Sequence, residues 1–339
     1  RFLLHLEVVG IFFFLRMLIG AGEIFPNAIM QQWFQRYRGR AVAIVFTFQW
    51  LGNAFVGMAV AYIVSKYSWR TAAALGSTVN LALAPASALL IRRSPEVCGM
   101  LPDGSDGYTF VPETKVMPDG DMEMEKEKLA NGPDTSDTGG TGSTRFLPHF
   151  MFTFFSGLIF GGCDFYMIEM VEEAAGKDGV SVSFSIFAPV AISLSIAIPC
   201  VGELMDAYCS RKWLPAALLA ASGFLTGGMT IWLTFLQDWR GAVFYGIIRG
   251  ITAGIFQTLL LGGLCFSALG VGSKEIGQIL GYSQLCMLLG TGIGPLVFGT
   301  CRDFLGMFKL SLRLAGVPPL LFGVFFAVQS LQSRTKAPA

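Results

Sequence analysis

Stretches of about 20 mostly apolar residues recur along this chain, each long enough to cross a bilayer as a helix. Nine can be read, at roughly 9–34, 42–65, 70–92, 147–171, 182–205, 213–236, 240–268, 276–300 and 312–331. So many runs leave a soluble chain too little polar surface to face water. Composition agrees: 14% of the 339 residues are charged, against about 25% in an ordinary soluble domain. The expectation is an all-α, multi-pass membrane protein whose partner is the lipid bilayer. The third and fourth runs are separated by a long stretch that opens on "SPEVCGMLPDG" and closes on "TGGTGSTR", rich in Gly, Pro, Asp, Ser and Thr. It has no apolar period and reads as a disordered linker. The expected organisation is three spans within 1–92, the linker at 93–146, a six-helix bundle over 147–332 and a tail at 333–339.

Basic residues collect in alternate loops. Arg36, Arg38 and Arg40 share one; others are the linker, the loop with Arg211 and Lys212, Lys274, and the tail with Arg334 and Lys336. Positive loops stay inside, so the linker and the C-terminus are both expected to be cytoplasmic, as six intervening spans require. A net charge of +1 and the lack of a basic-aromatic pattern argue against nucleic acid. The seven Cys are scattered without a CxxC pair, and His5 and His149 are far apart, so no metal-ligand set is visible. No cofactor is expected. There is no GxSxG elbow, P-loop or HExxH, so an enzyme is not expected either. Residue 1 is Arg and a span opens almost at once, which reads as a chain lacking its natural N-terminus.

Charges inside the runs need a reason. A charge in hydrocarbon costs roughly 2.5–3.5 kcal/mol on insertion scales, yet "FFFLRMLIGAGEIFPNAIMQQ" carries two. Arg16, Gly20, Glu23, Asn27 and Gln31 step by three or four and share one helix face, which must meet protein or water. Arg16 and Glu23 are two turns apart, so each needs a partner elsewhere. Asp164 lies inside the fourth run, with Tyr166 between it and Glu169; Arg249 lies in the seventh, with Gln257 on its face. Gln49 and Asn53 share a face of the second run, and Tyr282 and Gln284 sit in the eighth. Arg16, Glu23, Asn27, Asn53, Asp164, Tyr166, Arg249, Gln257, Tyr282 and Gln284 are therefore candidates for solute binding or coupling. The plainer alternatives are a buried clamp for Arg16, a hydrated helix-end carboxylate for Asp164, packing or snorkelling for Arg249 and interhelical bonds for the neutral groups. A coupling proton would ride on an in-span carboxylate, Glu23 or Asp164. An arginine beside a carboxylate makes it the poorer proton carrier, and Asp164 is preferred because no Arg shares its helix. The glycine-rich runs "LGNAFVG", "GGMT" and "GTGIGPLVFG" are expected to let helices approach closely.

"RMLIGAGEIF" (16–25) is echoed by "RGITAGIFQT" (249–258), six spans later. Parallel six-span halves joined by a cytoplasmic linker are one way transporters are built. With "GELMDAYCSRK" (202–212), "QQWFQRYRGRAVAI", "KYSWRTAAAL" and "RRSPEVCGMLPDG", the chain resembles the major facilitator superfamily, in the branch of oxalate/formate antiporters and monocarboxylate transporters. The resemblance covers nearly the whole chain except the linker. It implies a two-bundle fold entered near transmembrane helix 4, so that 1–92 is the rest of the N-terminal bundle and nine of twelve helices are visible. It implies a monomeric secondary transporter of a small organic solute, such as an organic anion or monocarboxylate. That carrier would be a symporter or antiporter, proton- or ion-coupled and working by alternating access. Helices 1, 4, 7 and 10 would line the cavity. Gly202, Asp206, Arg211 and Lys212 would latch helix ends on the cytoplasmic side. The runs at 182–205 and 276–300 contain no Lys, Arg or His, a departure from carboxylate carriers of this branch that hold the anion there. A receptor or sensor on the same scaffold, without transport, is the alternative.

Overall fold

The computed structural model describes residues 29–30, 33–34, 37–92, 95–98, 100, 145–175, 179–208, 211, 213–236, 238–271 and 273–335. Most of the first expected span, and linker residues 101–144, lie outside them. The long helices are α1 (Arg38–Lys66), α2 (Trp69–Leu90), α3 (Leu147–Ala175), α4 (Gly179–Ala207), α5 (Leu214–Trp232) and α6 (Trp239–Phe256). A short α7 (Leu264–Ala268) precedes α8 (Ser273–Leu305) and α9 (Lys309–Thr335). No strand occurs among the described residues. Six of these helical stretches, all after residue 146, are long and apolar enough to cross a membrane.

Local chemistry starts and stops the helices. Ser68 Oγ accepts from Thr71 N at 3.2 Å to open α2, and Asp238 Oδ1 accepts from Gly241 N at 2.8 Å to open α6; both are N-cap bonds. Inside the spans, several hydroxyls bond their own helix backbone, as Thr153 does to His149 O (2.8 Å) and Thr258 to Gly254 O (2.8 Å). This removes unsatisfied donors from an apolar layer.

Past residue 146 the helices pair: α3 on α8, α4 on α6 and α5 on α9, with α1 laid along α4. Small residues set the closest of these approaches. A Cβ added at Gly157 or Gly161 of α3, or at Gly290 or Gly294 of α8, would overlap the backbone of the facing helix. Gly227 of α5 meets Gly316 of α9 in the same way, whereas Gly52 of α1 has nothing within 4 Å. Phe152, Phe256, Phe298 and Phe326 fill the centre.

One expectation is corrected. The run at 240–268 is not one helix: α6 widens into a π-turn at Gln257–Leu261, and the chain then passes through Gly263 at φ 78° before α7. That left-handed conformation suits glycine, which has no Cβ to clash. The adjacent Gly262 lies so close to α1 that a Cβ there would stand 2.5 Å from Val42 Cγ1. At the described ends of the linker the chain has structure. Pro95–Cys98 forms a 3-10 turn, and Phe146 is buried with its ring 5.6 Å from that of Phe266.

Candidate functional site

Helices α1, α3, α4, α6 and α8 enclose a cavity of about 640 Å³, a size typical of small-molecule sites. Trp50 on α1 and Leu194 on α4 both line it. Trp50 lies twelve residues into α1, and Leu194 lies twelve residues before Asp206. At 1.5 Å per residue both are about 18 Å from the end of the bundle where α1 begins and α4 stops. That is near the middle of a hydrocarbon layer about 30 Å thick.

Asp164 and Arg249 meet at the cavity wall. Arg249 Nη2 donates to Asp164 Oδ1 at 3.1 Å, and the guanidinium carbon stands 3.7 Å from the centroid of the Phe160 ring. The arginine sits at the centre of α6, where Gly246 and Gly250 abut α4 backbone; that contact seals it inside the bundle. The pairing removes the ground for preferring Asp164 over Glu23 as a proton carrier. No arginine shares the Asp164 helix, but one reaches it from α6, 85 positions along the chain. Glu23 lies outside the described residues.

Gln257 opens the π-turn, and its Oε1 accepts from Trp50 Nε1 at 2.5 Å. A π-turn adds a residue to the helical cycle and swings the following side chains off the face they would otherwise share. Arg249 and Gln257 nonetheless both line the cavity. The Trp50–Gln257 bond joins α1 to the C-terminal bundle at the cavity itself.

The expected latch has a defined partner. Asp206, at the end of α4, accepts from Gly39 N at 2.7 Å and from Arg40 N at 2.9 Å. These are the second and third residues of α1, whose own N-cap residue, Tyr37, makes no side-chain capping bond. The carboxylate of one helix thus caps another, from 167 residues away. It satisfies two of the donors every helix start leaves open and places negative charge at the positive end of the α1 dipole. Gly39 and Gly202 make the approach possible, since a Cβ on either would overlap the other's carbonyl group. Arg40 Nε and Glu203 Oε1, 3.8 Å apart, add an exposed pair at the rim. Trp33 Nε1 donates to Arg92 O at 3.1 Å near the same end.

The remaining candidates are less concentrated. Gln284 is 5% exposed and lines the cavity, as does Gln49. Tyr166 packs its ring 5.2 Å from Phe308 and its hydroxyl against Gly299, away from the cavity lining. Tyr282 is exposed and its hydroxyl accepts from Gln278 Nε2 at 3.2 Å. Glu169 pairs with Arg302. Arg211 is exposed, with its backbone N–H on Tyr208 O at 2.9 Å. Lys212, Arg16, Glu23 and Asn27 lie outside the described residues, as does the side chain of Asn53.

The sequence profile of the Major Facilitator Superfamily matches residues 2–295. The chain belongs to this superfamily. Human Monocarboxylate transporter 11 is 25% identical over 327 residues, covering 91% of this chain and 61% of that protein. Monocarboxylate transporter 10 of Danio rerio is 28% identical over 120 residues, covering 35% of this chain and 23% of that protein. The chain therefore spans less than two thirds of either relative. Both fall in the monocarboxylate branch that the loop motifs resemble. For a major facilitator chain the sequence reading missed Trp50, Phe160 and Phe165 at the cavity. Among 30 Phe, nothing in the residue order says which ring faces a cavity.

Proposed function

We propose that this protein is a secondary transporter that carries a small organic solute across the membrane by alternating access. The latch is the observation that carries the reading. Alternating access needs two halves that close on each other at one end of a midplane site and then part. A carboxylate capping the first turn of α1, beside a glycine-to-glycine contact, suits that task, because its backbone donors can pass to water when the helices part. The mid-depth cavity, walled by elements from both sides of the latch, suits solute binding. The latch end is the cytoplasmic end, with the linker and the C-terminal tail on the same side. Transport is coupled to a proton or another ion.

Uptake of labelled solutes into proteoliposomes, with and without a pH gradient, tests the proposal. Saturable uptake that rises above equilibrium under the gradient is the expected outcome. Binding without flux would instead make the protein a receptor, and non-saturating flux would make it a channel. Cysteine labelling that reached the linker and the tail from opposite sides of the membrane would overturn the topology.

A further inference from the structure

The cavity's two charged lining residues are not equally available to a solute. Asp164 and Arg249 are the ionic groups of the described lining. The Arg249 side chain is 9% exposed and that of Asp164 is 59% exposed. Arg249 has one face on Phe160 and one amino group on Asp164. Its other terminal nitrogen, Nη1, is shut away from solvent without a partner. Asp164 binds Arg249 through Oδ1, which leaves Oδ2 for an incoming donor. An entering molecule thus meets the carboxylate first, with the guanidinium behind it.

Aromatic side chains share the cavity lining with that carboxylate. Phe165 (71% exposed) and Phe187 (44% exposed) line the cavity together with Phe160 and Trp50. A carboxylate in a cavity lined by exposed aromatic side chains complements a cation twice over. It accepts charge-assisted hydrogen bonds from N–H groups, and the ring faces attract positive charge. A carboxylate solute would meet Asp164 as a like charge, which opposes binding, and would have to displace Asp164 or Phe160 to reach Arg249. Resting on the transporter reading, we propose that the solute carries an ammonium group next to an apolar body and docks that group on Asp164 Oδ2. Arg249 is then a positioning residue: it holds the carboxylate at the cavity wall.

The test uses the full-length protein in lipid nanodiscs and two pairs of probes with matched bodies and opposite charge. These are phenethylamine against 3-phenylpropanoate, and 3-methylbutylamine against 4-methylpentanoate. Calorimetric titration is expected to show each amine binding at least about tenfold more tightly than its carboxylate partner. Asp164→Asn alone strands Arg249 and risks misfolding, so the decisive variant is Asp164→Asn with Arg249→Leu, which removes both charges. It should weaken the amines by about tenfold or more and leave the carboxylates no weaker. Tighter binding of the carboxylates, no binding of either amine, or amine affinity unchanged in the double variant overturns the inference. Uptake of the same probes keeps the two readings apart. Amines bound but never carried would leave the site standing and remove the transporter. Carboxylates carried while amines are ignored would do the reverse.

Discussion

Two carboxylates in this protein reach from one helix to another, and they are answered by different donors. Asp206 accepts from the backbone N–H groups of Gly39 and Arg40 on α1. Asp164 accepts from the guanidinium of Arg249, within the C-terminal bundle. The first contact joins segments on either side of the linker; the second joins two helices of one bundle. Backbone N–H groups at a helix start can return to water when the helices separate, because water readily satisfies them. A buried guanidinium has no such exit, and losing its partner strands a charge. On the proposed transporter reading, the contact between the segments is the one that comes apart, and the one inside the bundle stays together.

The largest effect expected from this contrast is on stability. Asp164→Asn should cost about 3 kcal/mol in chemical denaturation, because it leaves Arg249 buried without a counter-charge. Arg249→Leu should cost clearly less, since the half-exposed Asp164 can hydrate. Equal losses would show that the pair is symmetric and that the contrast with the latch is misplaced.

Next comes Gly202→Val. Its side chain would overlap the Gly39 carbonyl, an overpacking strain worth about 1–3 kcal/mol. That strain acts on the closed latch and not on either segment alone. The variant should stay folded and monodisperse on size exclusion while its α1 first-turn amides exchange faster. Global unfolding instead would mean that the contact is permanent packing.

Asp206→Ala removes the cap and should cost about 1 kcal/mol, seen as roughly fivefold faster hydrogen exchange at Gly39 and Arg40. Asp206→Asn should retain most of the protection, because Asn caps as well as Asp does. If Asn behaves like Ala, charge against the helix dipole does the holding, and the capping account needs revision.

Trp50→Phe and Arg40→Gln come last. The first keeps a ring in the cavity and loses the bond to Gln257, about 0.5–1.5 kcal/mol. Arg40→Gln is its control, since the exposed pair with Glu203 should contribute less than about 1 kcal/mol. A Trp50→Phe effect exceeding that of Asp206→Ala would move the principal inter-segment contact from the latch to the cavity.

Much of the fold was legible in residue order. The bilayer-length runs foretold every long helix described, and basic residues at alternate run ends marked the loops between them. Asp206 stood out because a carboxylate at the end of an apolar run, among bases, has no place in a plain topology signal. Its partner did not stand out, because backbone N–H groups carry no residue identity. The break after Phe256 was also hidden: Gly262 and Gly263 read as two more small residues in a glycine-rich span.

Residue order determined where the apolar runs lie and which polar side chains ride on them, because periodicity and length are local properties of the chain. It could not say that Arg249 serves Asp164, that Trp50 answers Gln257, or that Gly39 stands against Gly202. Those pairings are set by how the helices pack, and the packing depends on the surfaces of all of them together. Only the tertiary structure brings a carboxylate in α3 within 3.1 Å of a guanidinium in α6, and so decides which of two charges a cavity buries and which it presents.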